Sequence, residues 1–469
     1  MKKLAVAIWF FVLVPPTWAT SYFLAPASAG GNDSNNGTSA STPWLTPNHA
    51  VNCGDTITAS ASIAYASTSF EFGNWGAVTC SGHGVAWLNC ATFDACKITS
   101  SSGFGMWITA SHWGVQGWEV TADTGGGASG GTCFESYPPT SGINLTDIIF
   151  ANDIANGCYG AGFQSVPNGS AGTDYLILIA DIAYNAAQQT TSCGSGITIT
   201  APTNTDTLPG THIYVSQTFT WGNFNPSRCS GTPPTDGEGV IFDTWDANSY
   251  TSQGVMENNI SFFNGSSGFR VDVTTKSPII IQNNTAYGNN GDHNMNSTEC
   301  GEITLQQSSN VQVKNNITKT NAITGCGVNP NFAFYVANGD STDIVNVNVG
   351  YGVTGNNFGS GGSTGFSYGG ENIFGTDPNF VSPPANNPGA PSCSSFSSVI
   401  ACMAPIIAGF VPKTSAAVGM GYQSVQANLV IDPLFPQWLC NVNLPAGLVT
   451  MGCQSKPQPP TGLTIKGVT

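Results

Sequence analysis

Between Asp236 and Asn316 the chain alternates two short patterns of apolar and polar positions. One is a glycine followed by an in/out run, as in Gly239-Val-Ile-Phe-Asp243 and Gly268-Phe-Arg-Val-Asp272. The other is a β-branched run closed by an Asn pair, at Asn258-Asn259, Asn283-Asn284 and Asn315-Asn316. Period-2 alternation marks a half-buried strand, and its recurrence marks a solenoid coil repeated along the chain. It puts Ile197, Ile199, Val240, Phe242, Phe269 and Val271 inside, with Thr198, Ile241 and Arg270 in one outward row and Thr200, Asp243 and Asp272 in the next. At Gly301-Glu-Ile-Thr-Leu305 the register breaks, because Ile303 and Leu305 should be the inward residues, and the rows are expected to end there.

The Asn-closed run extends backwards to Ser216, Ala180 and Asn152, at intervals of 28, 36, 42, 25 and 32 residues up to Asn315. These exceed a bare coil, so the excess is read as loops bulging from the solenoid, the longest at 201–210 and 225–236, just upstream of Asp236. An Asn at a tight bend tolerates left-handed geometry and can pass its amide to the Asn of the next coil, so the pairs argue for fold and not for function.

The segment from Tyr22-Phe-Leu-Ala-Pro through Cys53-Gly-Asp55-Thr-Ile-Thr resembles the opening segment of secreted right-handed parallel β-helix proteins, the pectate-lyase-like superfamily. Asp377-Pro-Asn-Phe resembles the closing loops of many such proteins. The resemblance implies an all-β chain, a right-handed parallel β-helix solenoid with loop insertions and a C-terminal capping segment. Residues 1–19 read as an export signal: Lys2-Lys3, an apolar run too short to span a bilayer, and a small residue at Ala19. Residues 20–380 form the β-helix, 381–455 a cap closing the open end of the core, and 456–469 a flexible tail.

Composition narrows the partners. The chain has 57 glycines, 8% charged and 40% hydrophobic residues, which suits short strands and many turns. A net charge of −15, with 11 Lys and Arg in all, repels nucleic acid and anionic membranes and leaves no basic patch for a polyuronate. An oligo- or polysaccharide without charge is the simpler partner, bound by a monomer. Calcium could bridge acidic protein and acidic sugar, but no cofactor is required. The 14 cysteines, none in CxxC, suit disulfides in an exported protein, and Cys90 with Cys96 or Cys393 with Cys402 could close short loops.

The chemistry is expected at the outward acids. Asp243 and Asp272 sit at equivalent positions of adjacent coils, and Asp236 leads into the first of them. Close carboxylates raise one another's proton affinity, the arrangement that glycoside hydrolysis needs. Asp236-Gly-Glu-Gly-Val-Ile-Phe-Asp243 resembles a segment of carbohydrate-active β-helix proteins, and a similarly spaced Asp pair occurs in the β-helix lacto-N-biosidase family. Glu238, Asp246, Arg270 and His293 lie within two coils of the pair and are candidates for binding substrate. Trp221 and Trp245 are expected beside the acids, Trp107 facing out, and Trp113 and Trp118 in or near loops, as platforms for apolar sugar faces. No GxSxG elbow, P-loop or dinucleotide fingerprint is present, and the five histidines lack metal spacing. The first reading is therefore a secreted glycoside hydrolase using Asp243 with Asp236 or Asp272. A calcium-dependent polysaccharide lyase and a non-catalytic glycan-binding adhesin are the alternatives.

Overall fold

The computed structural model describes residues 19–421 and Pro436, apart from 62, 101–103, 123–130, 189–192, 226–234, 293–300, 322–330, 339–341, 362–366 and 370. Three parallel sheets of 12, 11 and 9 strands run side by side, each made by successive coils adding one strand. A coil passes from the first sheet to the second, then the third, and back to the first of the next coil, as in Gln253–Glu257, Ile260–Phe262 and Phe269–Thr274. This is a parallel β-helix. The expected opening is present: Ser21–Leu24 pairs with Thr56–Ala59, the strand holding Thr-Ile-Thr.

The inward residues stack in rows. Val240 pairs with Phe269 and Phe242 with Val271, and all four are fully buried. Each such side chain contributes about 1.5–3 kcal/mol against leaving it in water. The second sheet contributes small inward residues, Ala155, Ala183 and Ala286. Its corner with the third sheet is tight: a Cβ on Gly239 would stand 2.0 Å from Ser261 Oγ, which explains the glycine that leads that run.

The Asn pairs divide two jobs. The first member takes left-handed φ, 53° at Asn258, 54° at Asn283 and 55° at Asn315. The second member forms the ladder: Asn259 Nδ2 donates to Asn284 Oδ1 at 2.9 Å, and the chain continues through Asn316, Asn348 and Asn372. In the earlier coil the bend falls on Gln217, φ 55°, one residue after the Ser216 that the spacing suggested; Ser216 itself pairs with Ile179 inside a strand. The register at Gly301 also continues where it was expected to end. Ile303 and Leu305 pair with Phe269 and Val271, so Glu302, not Gly301, stands opposite Gly268, and the outward rows run on to Thr304 and Gln306.

Of the expected cap at 381–455, the described part, residues 381–421, packs on the side of the solenoid, and residues 422–455 apart from Pro436 lie outside the described residues. The helix Val399–Gly409, with Phe380 and Phe410, lies along the outer face of the second sheet against Ile182, Phe219, Phe262 and Ile317. Those outward positions are apolar and need a cover. Disulfides join Cys53–Cys80, Cys90–Cys96, Cys133–Cys158 and Cys393–Cys402, so both short loops close as expected, and the set fits an oxidising compartment. Among the described residues no helix is long and apolar enough to cross a membrane. The export signal, apart from Ala19, and the flexible tail lie outside the described residues.

Candidate active site

Strand alternation brings the acids together. In the third sheet Thr200 pairs with Asp243, Asp243 with Asp272, and Asp272 with Gln306, one residue per coil at the usual inter-strand step of roughly 4.8 Å. Asp243 and Asp272 are half-buried on the outward side. Asp236, also half-buried, precedes the strand Val240–Asp243, and among charged groups it has the largest effect on Asp243.

Arg270 organises the floor. Its Nη1 donates to Glu238 Oε1 at 2.8 Å and to the carbonyl of Thr235 at 2.7 Å; its Nη2 donates to Asp272 Oδ2 at 2.6 Å and to Gln306 Oε1 at 3.0 Å. The Arg270 side chain is 3% exposed and that of Glu238 fully buried. Glu238 also accepts from Ser195 Oγ at 2.5 Å and Ser266 Oγ at 3.1 Å. A buried charge pair persists when its remaining donors and acceptors are largely filled, and these contacts fill both Nη atoms of Arg270 and both oxygens of Glu238.

The two outer carboxyls are shifted. Burial, then the charges of Asp236 and Asp272, pushes Asp243 up to about 7. Burial, then Glu238, pushes Asp236 up to about 7, with Arg270 opposing. Both groups therefore exchange protons near neutrality, which a carboxylate in water does not do. Asp272 Oδ1 is buried with no hydrogen-bond partner among the described residues.

Other expectations need correction. Glu238 is not open to a ligand, because it is sealed beneath Arg270. Trp245 is fully buried: its indole stacks on Phe242, its Nε1 donates to the carbonyl of Ile199 at 3.0 Å, and a Cβ on Gly254 would come within 2.4 Å of its ring. Trp221 is 2% exposed, lies on the second sheet against Phe262, and donates to the carbonyl of Gly389. Trp113 and Trp118 are in strands and buried. Asp246 holds the turn after the next strand, taking the Thr275 amide at 3.0 Å and its hydroxyl at 2.5 Å. Trp107 is outward and half-buried as expected. His293 lies outside the described residues.

Sequence spacing missed Ser195, Ser266 and Gln306, which support the site; only Gln306 could have been found, by pairing Ile303 with Phe269. It also missed a second polar cluster, at the N-terminal edge of the first sheet. Asp147 bridges His83 and His112 at 2.9 Å each, Tyr175 stacks between His83 and His212, and Asp174 takes His212 Nδ1 and the Tyr250 hydroxyl. Its hydrogen-bonded partners lie up to 76 residues apart, beyond any local motif. Cys53, Cys80 and His112 converge as metal ligands would, but the two sulfurs are joined in a disulfide and offer no thiolate.

No family model matches this chain, and no curated protein matches it. Among solved structures it is similar to a pectate lyase at 18% identity and TM-score 0.44, covering 78% of this chain and 84% of that one. It is also similar to the A-module of a mannuronan C-5 epimerase of Azotobacter vinelandii, at 14% identity, 68% and 90% coverage and TM-score 0.35. A third is the lacto-N-biosidase of Eubacterium ramulus, at 12% identity, 71% and 56% coverage and TM-score 0.36.

Proposed function

We propose that this chain is an exported glycoside hydrolase that cleaves a neutral glycan with the carboxyl pair Asp236 and Asp243. The supporting observation is two half-buried carboxyls, delivered by a loop and a strand end to one spot beside Arg270 and both pushed to about 7. Such a pair titrates as a unit, so near neutrality one carboxyl holds a proton while the other is ionised. Asp243, which accepts no side-chain hydrogen bond among the described residues, is the general acid. Its proton passes to the glycosidic oxygen as the C–O bond breaks and the leaving sugar departs as an alcohol. The ionised Asp236 serves as the base that takes a proton from the attacking water, or as the nucleophile whose ester water then hydrolyses. Asp272 and Arg270 fix the floor and its field.

A lyase of the kind considered above would use a basic side chain to remove a proton from the sugar. Arg270 does not suit that task, being buried and engaged with Glu238 and Asp272. The hydrolytic step needs no metal, so chelation with EDTA should leave the rate unchanged. The test is release of reducing ends from neutral polysaccharides. Asp243→Asn and Asp236→Asn should each lower it roughly a hundredfold or more. Calcium-dependent absorbance from unsaturated uronides would indicate a lyase instead, and binding with no turnover would indicate a glycan-binding module.

A further inference from the structure

The outward row that carries Asp243 continues toward the N-terminal side of the third sheet. Ser136, Ser165 and Ile199 pair in register, so the residues that follow them, Tyr137, Val166 and Thr200, stand in line with Asp243. All four are half-buried, as are Asp272 and Gln306 on the other side. The neighbouring outward row is closed over much of its length, with Glu135, Thr198, Ile241 and Arg270 buried. Solvent therefore meets this part of the sheet along a narrow strip parallel to the axis, with the acids toward one end.

Aromatic rings stand at the other end, Tyr137 in the strip and Trp107 beside it in the neighbouring row, in register with Glu135 and Gln164, a row that is open at Trp107 and Gln164. Trp107 and Tyr137 stack at 5.4 Å between centroids and 28° between planes, and Phe104 holds Trp107 edge-on at 4.1 Å. Trp107, Tyr137 and Phe104 are each half-buried. Gln164 flanks them, also half-buried, its Oε1 fixed by the Thr132 hydroxyl at 2.9 Å. Between Tyr137 and Asp243 the strip holds Val166 and Thr200, with no charge. Tyr137 is three inter-strand steps from Asp243, roughly 14 Å.

We propose that Trp107 and Tyr137 form a distal sugar-stacking subsite for an extended neutral polysaccharide whose cleaved bond lies at Asp243. The proposal rests on the hydrolase reading for its ligand. A sugar ring offers an apolar face that an exposed aromatic ring can cover, while the amide of Gln164 and the hydroxyl of Thr200 meet its edges. The absence of charge between Tyr137 and Asp243 fits a neutral chain, whereas a uronide would also have to pass over the carboxyls of Asp236, Asp243 and Asp272. Binding at a distance from the bond is felt equally in ground and transition states, so it lowers KM and leaves kcat alone. Only chains long enough to span both ends gain from it.

The test uses gel retardation of the Asp243→Asn protein by mixed-linkage β-glucan, arabinoxylan and galactomannan, beside reducing-end release by the otherwise native enzyme. At least one polymer should retard the protein, and Trp107→Ala should weaken that binding roughly tenfold, with Trp107→Phe restoring most of it. In the active enzyme Trp107→Ala should raise KM on that polymer by a similar factor at unchanged kcat, and should leave its shortest cleaved oligosaccharide unaffected. Retardation or KM indifferent to Trp107→Ala overturns the subsite while hydrolysis dependent on Asp243 still stands. Trp107-dependent retardation without turnover keeps the subsite and removes the hydrolase. No retardation by any of the three polymers overturns the subsite.

Discussion

Glu238 gives the sharpest test of the site's floor. It is fully buried and supplies one of the two carboxylates that hold Arg270, itself 3% exposed. Breaking a buried pair by deleting one partner costs about 3–5 kcal/mol, because the other charge stays buried without compensation. Glu238→Ala removes that charge and the acceptor for Ser195, Ser266 and Arg270, so the full figure applies. Glu238→Gln keeps an acceptor and the shape and loses only the charge assistance. A charged hydrogen bond contributes about 1.5–3 kcal/mol and a neutral one about 0.5–1.5, so the smaller change should cost about 1–2 kcal/mol. Urea unfolding followed by tryptophan fluorescence reads both. The same substitution has a second effect of known sign. Glu238 is the largest charge raising Asp236, which stands at about 7, so Glu238→Gln should move the Asp236 limb of the pH–rate profile to lower pH. If both variants unfold within about 0.5 kcal/mol of the parent, the size of a neutral surface change, and the limb stays put, Arg270 is not held as described.

Other consequences follow from the buried groups. Glu135, Glu302 and Asp153 are each pushed to about 8 by burial, so the folded chain keeps protons that the unfolded chain releases near pH 4. Their contribution is present below about pH 4 and is lost as pH rises through about 8. His83, raised mainly by its hydrogen bond to Asp147, also loses its contribution as pH rises through its folded value. The thermal midpoint should therefore fall between pH 5 and pH 8.5, less steeply in Glu135→Gln; a midpoint that climbs across this window refutes the sign. Trp245→Ala should cost about 3–5 kcal/mol as a core cavity and should not act as a selective loss of sugar affinity, which a KM and stability comparison separates. Asn284→Ala breaks the ladder between Asn259 and Asn316 and leaves buried amide groups unpaired, so it should cost about 1–3 kcal/mol in the same urea assay.

The scaffold was legible because its rules are local. An Asn pair marks a bend wherever it falls, and a glycine opens a third-sheet strand because the corner beside Ser261 leaves no room for a Cβ. Where the local cue was weak the register slipped, by one residue at Ser216, which has no Asn beside it, and at Gly301, where Glu302 stands in the place a glycine holds elsewhere. The row of Asp243 and Asp272, and the neighbouring row that holds Arg270, were legible for the same reason, since alternation alone decides which side a residue faces. What faces outward in a strand can still be covered by another segment, and no periodicity reports that cover. Glu238 was sealed by Arg270, Trp221 by the segment around Gly389, and Trp245 turned inward after the left-handed Thr244. The His83, Asp147 and Tyr175 cluster was invisible because its partners meet only when separate coils stack.

The position of the acids on the third sheet has a physical cause. Between the first and second sheets, coil after coil spends two residues on the bend, as in Asn258-Asn259 between Gln253–Glu257 and Ile260–Phe262 and Asn315-Asn316 between Val311–Lys314 and Ile317–Lys319. That bend is bound on both sides by the amide ladder, so an insertion there would orphan buried donors in two neighbouring coils. The connections from the second sheet into the third carry a ladder of their own, Asn223 to Asn264 to Asn289 to Glu302, but it occupies only their first residues, and the connections into and out of the third sheet vary in length, from Thr274 to Ile279 up to Trp221 to Val240. The added length falls beyond that ladder, and Asp236 arrives on the longest of the connections just named. A single coil can then set a loop carboxyl beside a strand carboxyl while the next coil contributes Arg270 and Asp272 from below. Moving the same aspartates to the laddered bend would bury them fully, and burial there outweighs even the backbone amides that donate to a carboxyl, as the raised Asp153 and Asp181 illustrate at equivalent places in earlier coils.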